Sequence, residues 1–95
     1  MPSPFTVQLD SILDEVKQLA TLAKHNDWSD AISPIKATEI GTRAIAAIVR
    51  ASGRTSDYAQ QAEDIRSTNV GPLFKMRLLV GVVQALRTDL EAGYL

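Results

Sequence analysis

The chain has 95 residues, a length that suits one domain with one core. Ten Lys and Arg stand against eleven Asp and Glu, so bulk charge argues for neither a nucleic-acid nor a membrane partner. There is no cysteine, which removes disulfides, thiol catalysis and thiolate zinc sites. Alanine and aliphatic residues dominate the apolar set, and the only aromatics are Phe5, Trp28, Tyr58, Phe74 and Tyr94, a balance that favours helix over strand.

The opening Met1-Pro2-Ser3-Pro4 has no basic stretch and no long apolar run, so the expectation is a cytoplasmic chain without a signal peptide. A first helix is predicted from about Phe5 to Lys24. Leu9, Ile12, Leu13, Val16, Leu19, Ala20 and Ala23 form its apolar stripe, and Asp10, Asp14, Lys17 and Gln18 its solvent face. Lys24 and His25 complement its C-terminus, and His25-Asn26-Asp27 reads as a turn. Trp28 and Ile32 stand ready to brace the start of the second helix.

Ser33 is a capping residue with Pro34 at the first helical position, and Gly53 is a stop. The second helix therefore runs from about Pro34 to Ser52. Its apolar residues cover about half the circumference, wider than the ~100° stripe a surface helix needs. Gly41, Ala44 and Ala47 allow close approach of a neighbour. Ser56 or Thr55 caps a short, polar third helix over about Asp57–Ser67, the most weakly held of the four. Asn69-Val70-Gly71-Pro72 breaks the chain. The fourth helix runs from Pro72 to about Ala92 and stops at Gly93, with Tyr94 folding back on its last turn. Leu73, Met76, Leu79, Val80, Val83, Leu86 and Leu90 make one face of it; Phe74, Leu78, Val82 and Ala85 make a second. The longest apolar runs, Ala44–Val49 and Leu78–Val83, fall far short of the ~20 residues a membrane span needs.

Chemistry is scarce. His25 is the only histidine, and with Asp27 and Asp30 nearby it reads as an exposed turn residue rather than an acid–base centre. The carboxylates Asp10, Asp14 and Glu15 lack the Glu-x-x-His partners of a dimetal bundle. No phosphate-binding glycine loop or serine nucleophile motif occurs. The expectation is a protein that is not an enzyme and has no cofactor or metal. Lys36, Arg43 and Arg50 recur every seven residues along one edge of the second helix, with Arg54 following. That edge suits an acidic partner or phosphates, or else a solvated flank whose stems cover apolar surface.

Two broad apolar helices are hard to bury completely in a chain this small. Ile40, Ala44, Ala47, Ile48, Leu79, Val83 and Leu86 are assigned to the central helix contact. Ile45, Val49, Leu78 and Val82 are assigned to an outward association face, on which a Val82→Asp change should dissociate the chain and leave its helices intact.

The stretch Gly81-Val82-Val83-Gln84-Ala85-Leu86-Arg87-Thr88-Asp89-Leu90-Glu91-Ala92-Gly93-Tyr94-Leu95 resembles a segment that closes the N-terminal helical region of uncharacterised bacterial proteins. Trp28, Thr38, Ala47, Ile48, Gly53 and Tyr58-Ala59-Gln60 fall in a similar order upstream. Some of those proteins continue into a TIR-like effector domain of bacterial defence systems. The resemblance implies an accessory, oligomerising or sensing role, with the chain as the N-terminal module of a longer protein, and implies no catalytic residues.

The expected fold is all-α, a small antiparallel four-helix bundle with one short helix, or a three-helix core with the third segment as an appendage. The expected function is non-enzymatic interaction or oligomerisation, with the chain itself or another protein as partner. The alternative is a nucleic-acid-binding module using Lys36, Arg43, Arg50 and Arg54.

Overall fold

The structure is a computed structural model that describes residues 4–23 and 28–93. Among them are four α-helices, α1 (Pro4–Thr21), α2 (Pro34–Ser52), α3 (Asp57–Ser67) and α4 (Pro72–Ala92), and a short 3₁₀ turn at Trp28–Asp30. No described helix is long and apolar enough to cross a membrane.

The helix ends follow local chemistry. The Ser33 side chain accepts a hydrogen bond from the Lys36 amide at 3.1 Å, with Pro34 in the first turn. Ser56 caps α3 in the same way through the Ala59 amide at 3.1 Å. Gly53 closes α2 at φ +88° and ψ 155°, a backbone region that is essentially glycine's own. Helix α1 ends at Thr21, three residues before the predicted end. No glycine or proline marks that stop. The Thr21 hydroxyl donates to the Gln18 carbonyl at 2.6 Å, and the Leu22 and Ala23 amides bond three residues back instead of four. That tightening gives carbonyls of the last turn their partners. The turn at His25-Asn26-Asp27 and the fold-back of Tyr94 lie outside the described residues.

Helix directions follow from contacts near the ends. Asp10, near the start of α1, pairs with Arg87, near the end of α4. Tyr58, at the start of α3, donates to Asp89 at the end of α4, and Lys75, at the start of α4, donates to the Arg66 carbonyl at the end of α3. Both α1 and α3 therefore run antiparallel to α4. Helices α2 and α4 run parallel, so Pro34 and Pro72 lie at the same end, lining one groove. The most extensive contact joins α2 to α4, and α1 and α3 each pack on both. The third helix is thus an integral member of a four-helix bundle, not an appendage. The bundle is flattened, with extents of 37 × 30 × 17 Å.

Leu9, Ile12 and Val16 of α1, Ile40, Ala44, Ala47 and Ile48 of α2, and Met76, Leu79, Val83 and Leu86 of α4 form one buried cluster, joined by Ile32 from the connection. The seven residues assigned to the central contact are all within it. Small residues on α2 admit α4: a methyl group built on Gly41 would lie 3.4 Å from Leu79 Cδ1. Helix α3 adds only Ala59 and Ala62 as fully buried side chains, with Tyr58 and Ile65 half-buried on the cluster's edge. Trp28 packs against the same cluster while Arg77 stacks over its ring, 5.0 Å from the centroid. This pins the α1–α2 connection to α4.

Candidate functional site

No polar or charged side chain is buried among the described residues, and no group of three or more carboxylates or histidines there is placed to hold a metal ion. His25 and Asp27 lie outside the described residues. What remains is surface, in three regions.

The first is the basic edge of α2. Lys36 and Arg43 both reach across to Glu15 of α1, at 3.5 and 2.6 Å, and both also face Glu39, at 3.3 and 3.6 Å. Burial raises the Glu15 carboxyl, but the hydrogen bond and charge of Arg43, with those of Lys36, more than offset it and hold the group below its ordinary value. Lys36 is held above its ordinary value, chiefly by its hydrogen bond to Glu39. Half of the edge is therefore neutralised within the molecule. Arg50 and Arg54 are exposed and face Ala59, Gln60 and Glu63 across the α2–α3 groove. Two cations beside a carboxylate form a weaker phosphate surface than the four in line that the sequence suggested.

The second is a cleft of about 230 Å3 beside the first half of α2, lined by Thr38, Thr42, Ile45, Arg66, Val70 and Lys75 among others. It exists because α3, at 11 residues, is shorter than α2, at 19, and leaves the start of α2 uncovered. It is smaller than the roughly 300–1,000 Å3 of ordinary small-molecule sites.

The third is the outer face of α4. The four residues assigned to an outward face do not share one. Ile45 is half-buried in the cleft wall, and Val49 is half-buried in the groove under α3. Leu78 is 39% exposed, whereas Val82 is only 7% exposed and belongs to the core. The reason is angular. Four residues along a helix turn the side chain by about 40°, and that step carries Val82 from the rim at Leu78 to the buried sector that holds Val83, Leu79 and Leu86.

The true outer face is Phe74, Leu78, Gly81, Ala85, Thr88 and Ala92, all exposed and none charged. Phe74 is 54% exposed and forms one wall of a mainly apolar groove with Ile32, Pro34 and Leu73. The steps between these residues are 4, 3, 4, 3 and 4, the spacing of a coiled-coil seam. Lys75, Val82 and Asp89 flank it on one side, and Arg77, Gln84 and Glu91 on the other. Sequence reasoning missed Gly81, Thr88 and Ala92 because they are small or polar and do not register as apolar signal. The 4-3 spacing would have found them. Among these flanking groups, Lys75 donates to the Arg66 carbonyl, Asp89 accepts from Tyr58, Arg77 stacks on Trp28, and Glu91 pairs with Arg87, so each keeps capacity for a further partner. Set against known protein families, curated proteins and solved structures, the chain matches none.

Proposed function

We propose that this chain is a non-enzymatic association module that docks through the outer face of α4. The observation that carries the reading is the unbroken uncharged seam from Phe74 to Ala92, with Phe74 and Leu78 exposed on it. Two large apolar side chains exposed side by side on an uncharged helix face are the kind of surface that a partner covers. The heptad spacing suits a second helix as the docked element. The resemblance to the N-terminal helical region of bacterial proteins with TIR-like effectors supports the same role, that of an accessory module in the cytoplasm beside a catalytic domain. The nucleic-acid alternative has less behind it, because Lys36 and Arg43 face Glu15 and Glu39.

The test is photo-crosslinking in the cells that make the protein. A photoreactive residue replaces Ala85, in the seam, or Gln61, exposed on α3. Adducts are expected from position 85 and not from position 61. Equal or absent adducts at the two positions would end the association reading.

A further inference from the structure

We propose that the occupant of this seam is a second copy of the chain, with the two α4 helices antiparallel about a two-fold axis beside Gly81 and Ala85. The inference rests on the association reading and names its partner. Three properties of α4 support it.

The first is shape. In the antiparallel register that sets Gly81 against Ala85 of the second copy, Leu78 meets Thr88 and Phe74 meets Ala92. Every layer sets a larger side chain against a smaller one, the condition for interdigitated packing. The glycine and alanine at the centre let the two axes approach to about 8 Å, the near end of the helix-packing range. A parallel pair would stack Phe74 on Phe74 and Gly81 on Gly81, holding the helices apart at one end and leaving a void at the middle.

The second is charge. In an antiparallel pair each flank meets its own counterpart. Lys75 then faces Asp89 of the second copy, and Arg77 faces Glu91. Each pair occurs twice by symmetry, so four opposite-sign contacts border the seam, with Gln84 meeting itself at the centre of one flank while Val82, at the centre of the other, stays buried in its own core. In a parallel pair Arg77 would face Val82, and Gln84 would face Asp89, with no ion pair at all.

The third is placement. The outer face of α4 points away from α2, its principal neighbour, and none of the six seam residues is buried by the chain's own fold. The seam is about 27 Å long at 1.5 Å per residue. One helix face of that length is well below the ~800 Å2 per partner of a standard interface, so the dimer is a weak one, with dissociation in the micromolar range or above.

The experiment is sedimentation equilibrium on the whole chain, from dilute solution to about 1 mM. Far-UV circular dichroism checks that each variant is folded. The wild-type chain is expected to show a monomer–dimer equilibrium. Arg77→Glu sets Glu against Glu91 at two symmetric places and should weaken the dimer by about tenfold. The double variant Arg77→Glu with Glu91→Lys restores opposite signs and should regain most of that loss. Ala85→Glu should abolish the dimer while the fold remains. A strict monomer throughout, a dimer indifferent to Ala85→Glu, or a double variant no better than the single one would each overturn the proposal. The two readings fail separately. Adducts from position 85 to a different protein, with the purified chain monomeric, would leave the association reading standing and remove self-pairing.

Discussion

Changing Val82 to aspartate separates the core reading of this residue from the interface reading. Val82 is 7% exposed and sits among Leu79, Val83 and Leu86. Val82→Asp removes a buried branched side chain and places a carboxylate where none is solvated. On its own side of α4 the nearest cation is Lys75, seven residues or about 10 Å away by helix rise, and Asp89 lies as far in the other direction with the wrong sign. An uncompensated buried charge costs about 3–5 kcal/mol, a large part of the roughly 5–15 kcal/mol that holds a domain together. At about 4–8 °C per kcal/mol for a domain of this size, the melting midpoint should fall by at least about 12 °C. Burial raises the folded-state pKa of the new carboxyl above its unfolded value of about 3.9. The penalty is therefore full at neutral pH and shrinks as acid protonates the group. Leu78→Asp, one turn earlier and on the rim, should cost about 1 kcal/mol and affect association instead. Thermal melts followed by circular dichroism in dilute solution measure both. A Val82→Asp midpoint within a few degrees of wild type, with Leu78→Asp the more damaging, would refute this placement of the α4 faces.

Two further perturbations test other parts of the structure. Gly53→Ala forces a side chain onto φ +88° although the site has open space around it, so it should cost about 1–3 kcal/mol in urea denaturation through backbone strain alone; no loss would mean that α2 ends differently. Glu15→Gln removes the carboxylate that Arg43 and Lys36 share. Because the folded Glu15 carboxyl lies below its ordinary value, its contribution is present above the unfolded pKa of about 4.3 and is lost as pH falls through the folded value. Wild type should exceed Glu15→Gln by less than about 1 kcal/mol at neutral pH, and the gap should close in acid; a gap constant down through the carboxylate range would show that the pairs contribute nothing.

The helices were legible in the sequence because their ends are local. Ser33-Pro34, Gly53, Ser56, Pro72 and Gly93 each act on the backbone within one turn. The end of α1 was not legible, since no glycine or proline stands at Thr21 or in the two residues after it to mark the stop. Which face of a helix is buried was readable at the centre of each apolar arc, as at Ile40, Ile48, Val83 and Leu86, and unreadable at its edges. Val82 and Leu78 differ by about 40°, and only the angle at which α2 meets α4 decides between them. The fate of Ile45 and Val49 depended on where α3 lies, a tertiary fact. The pairing of Arg43 with Glu15, 28 positions apart, was likewise invisible to any local pattern.

The shortness of α3 carries a consequence for how the molecule opens. Its fully buried side chains are two alanines, and little apolar area resists its departure. The α1–α2–α4 core keeps Leu9, Ile40, Ile48, Met76 and Leu86 packed without it. Proteins open in cooperative units, and the unit that buries least opens most often. Helix α3 buries least of the four, so its amide protons are expected to exchange with solvent before those of its neighbours, an order that native-state hydrogen exchange measures. When it lifts, Val49 and the C-terminal half of α2 come into water. Of the two residues that the sequence assigned to an apolar flank of α2, Ile45 is thus open to the cleft at rest, whereas Val49 is the one whose exposure is tied to the departure of α3.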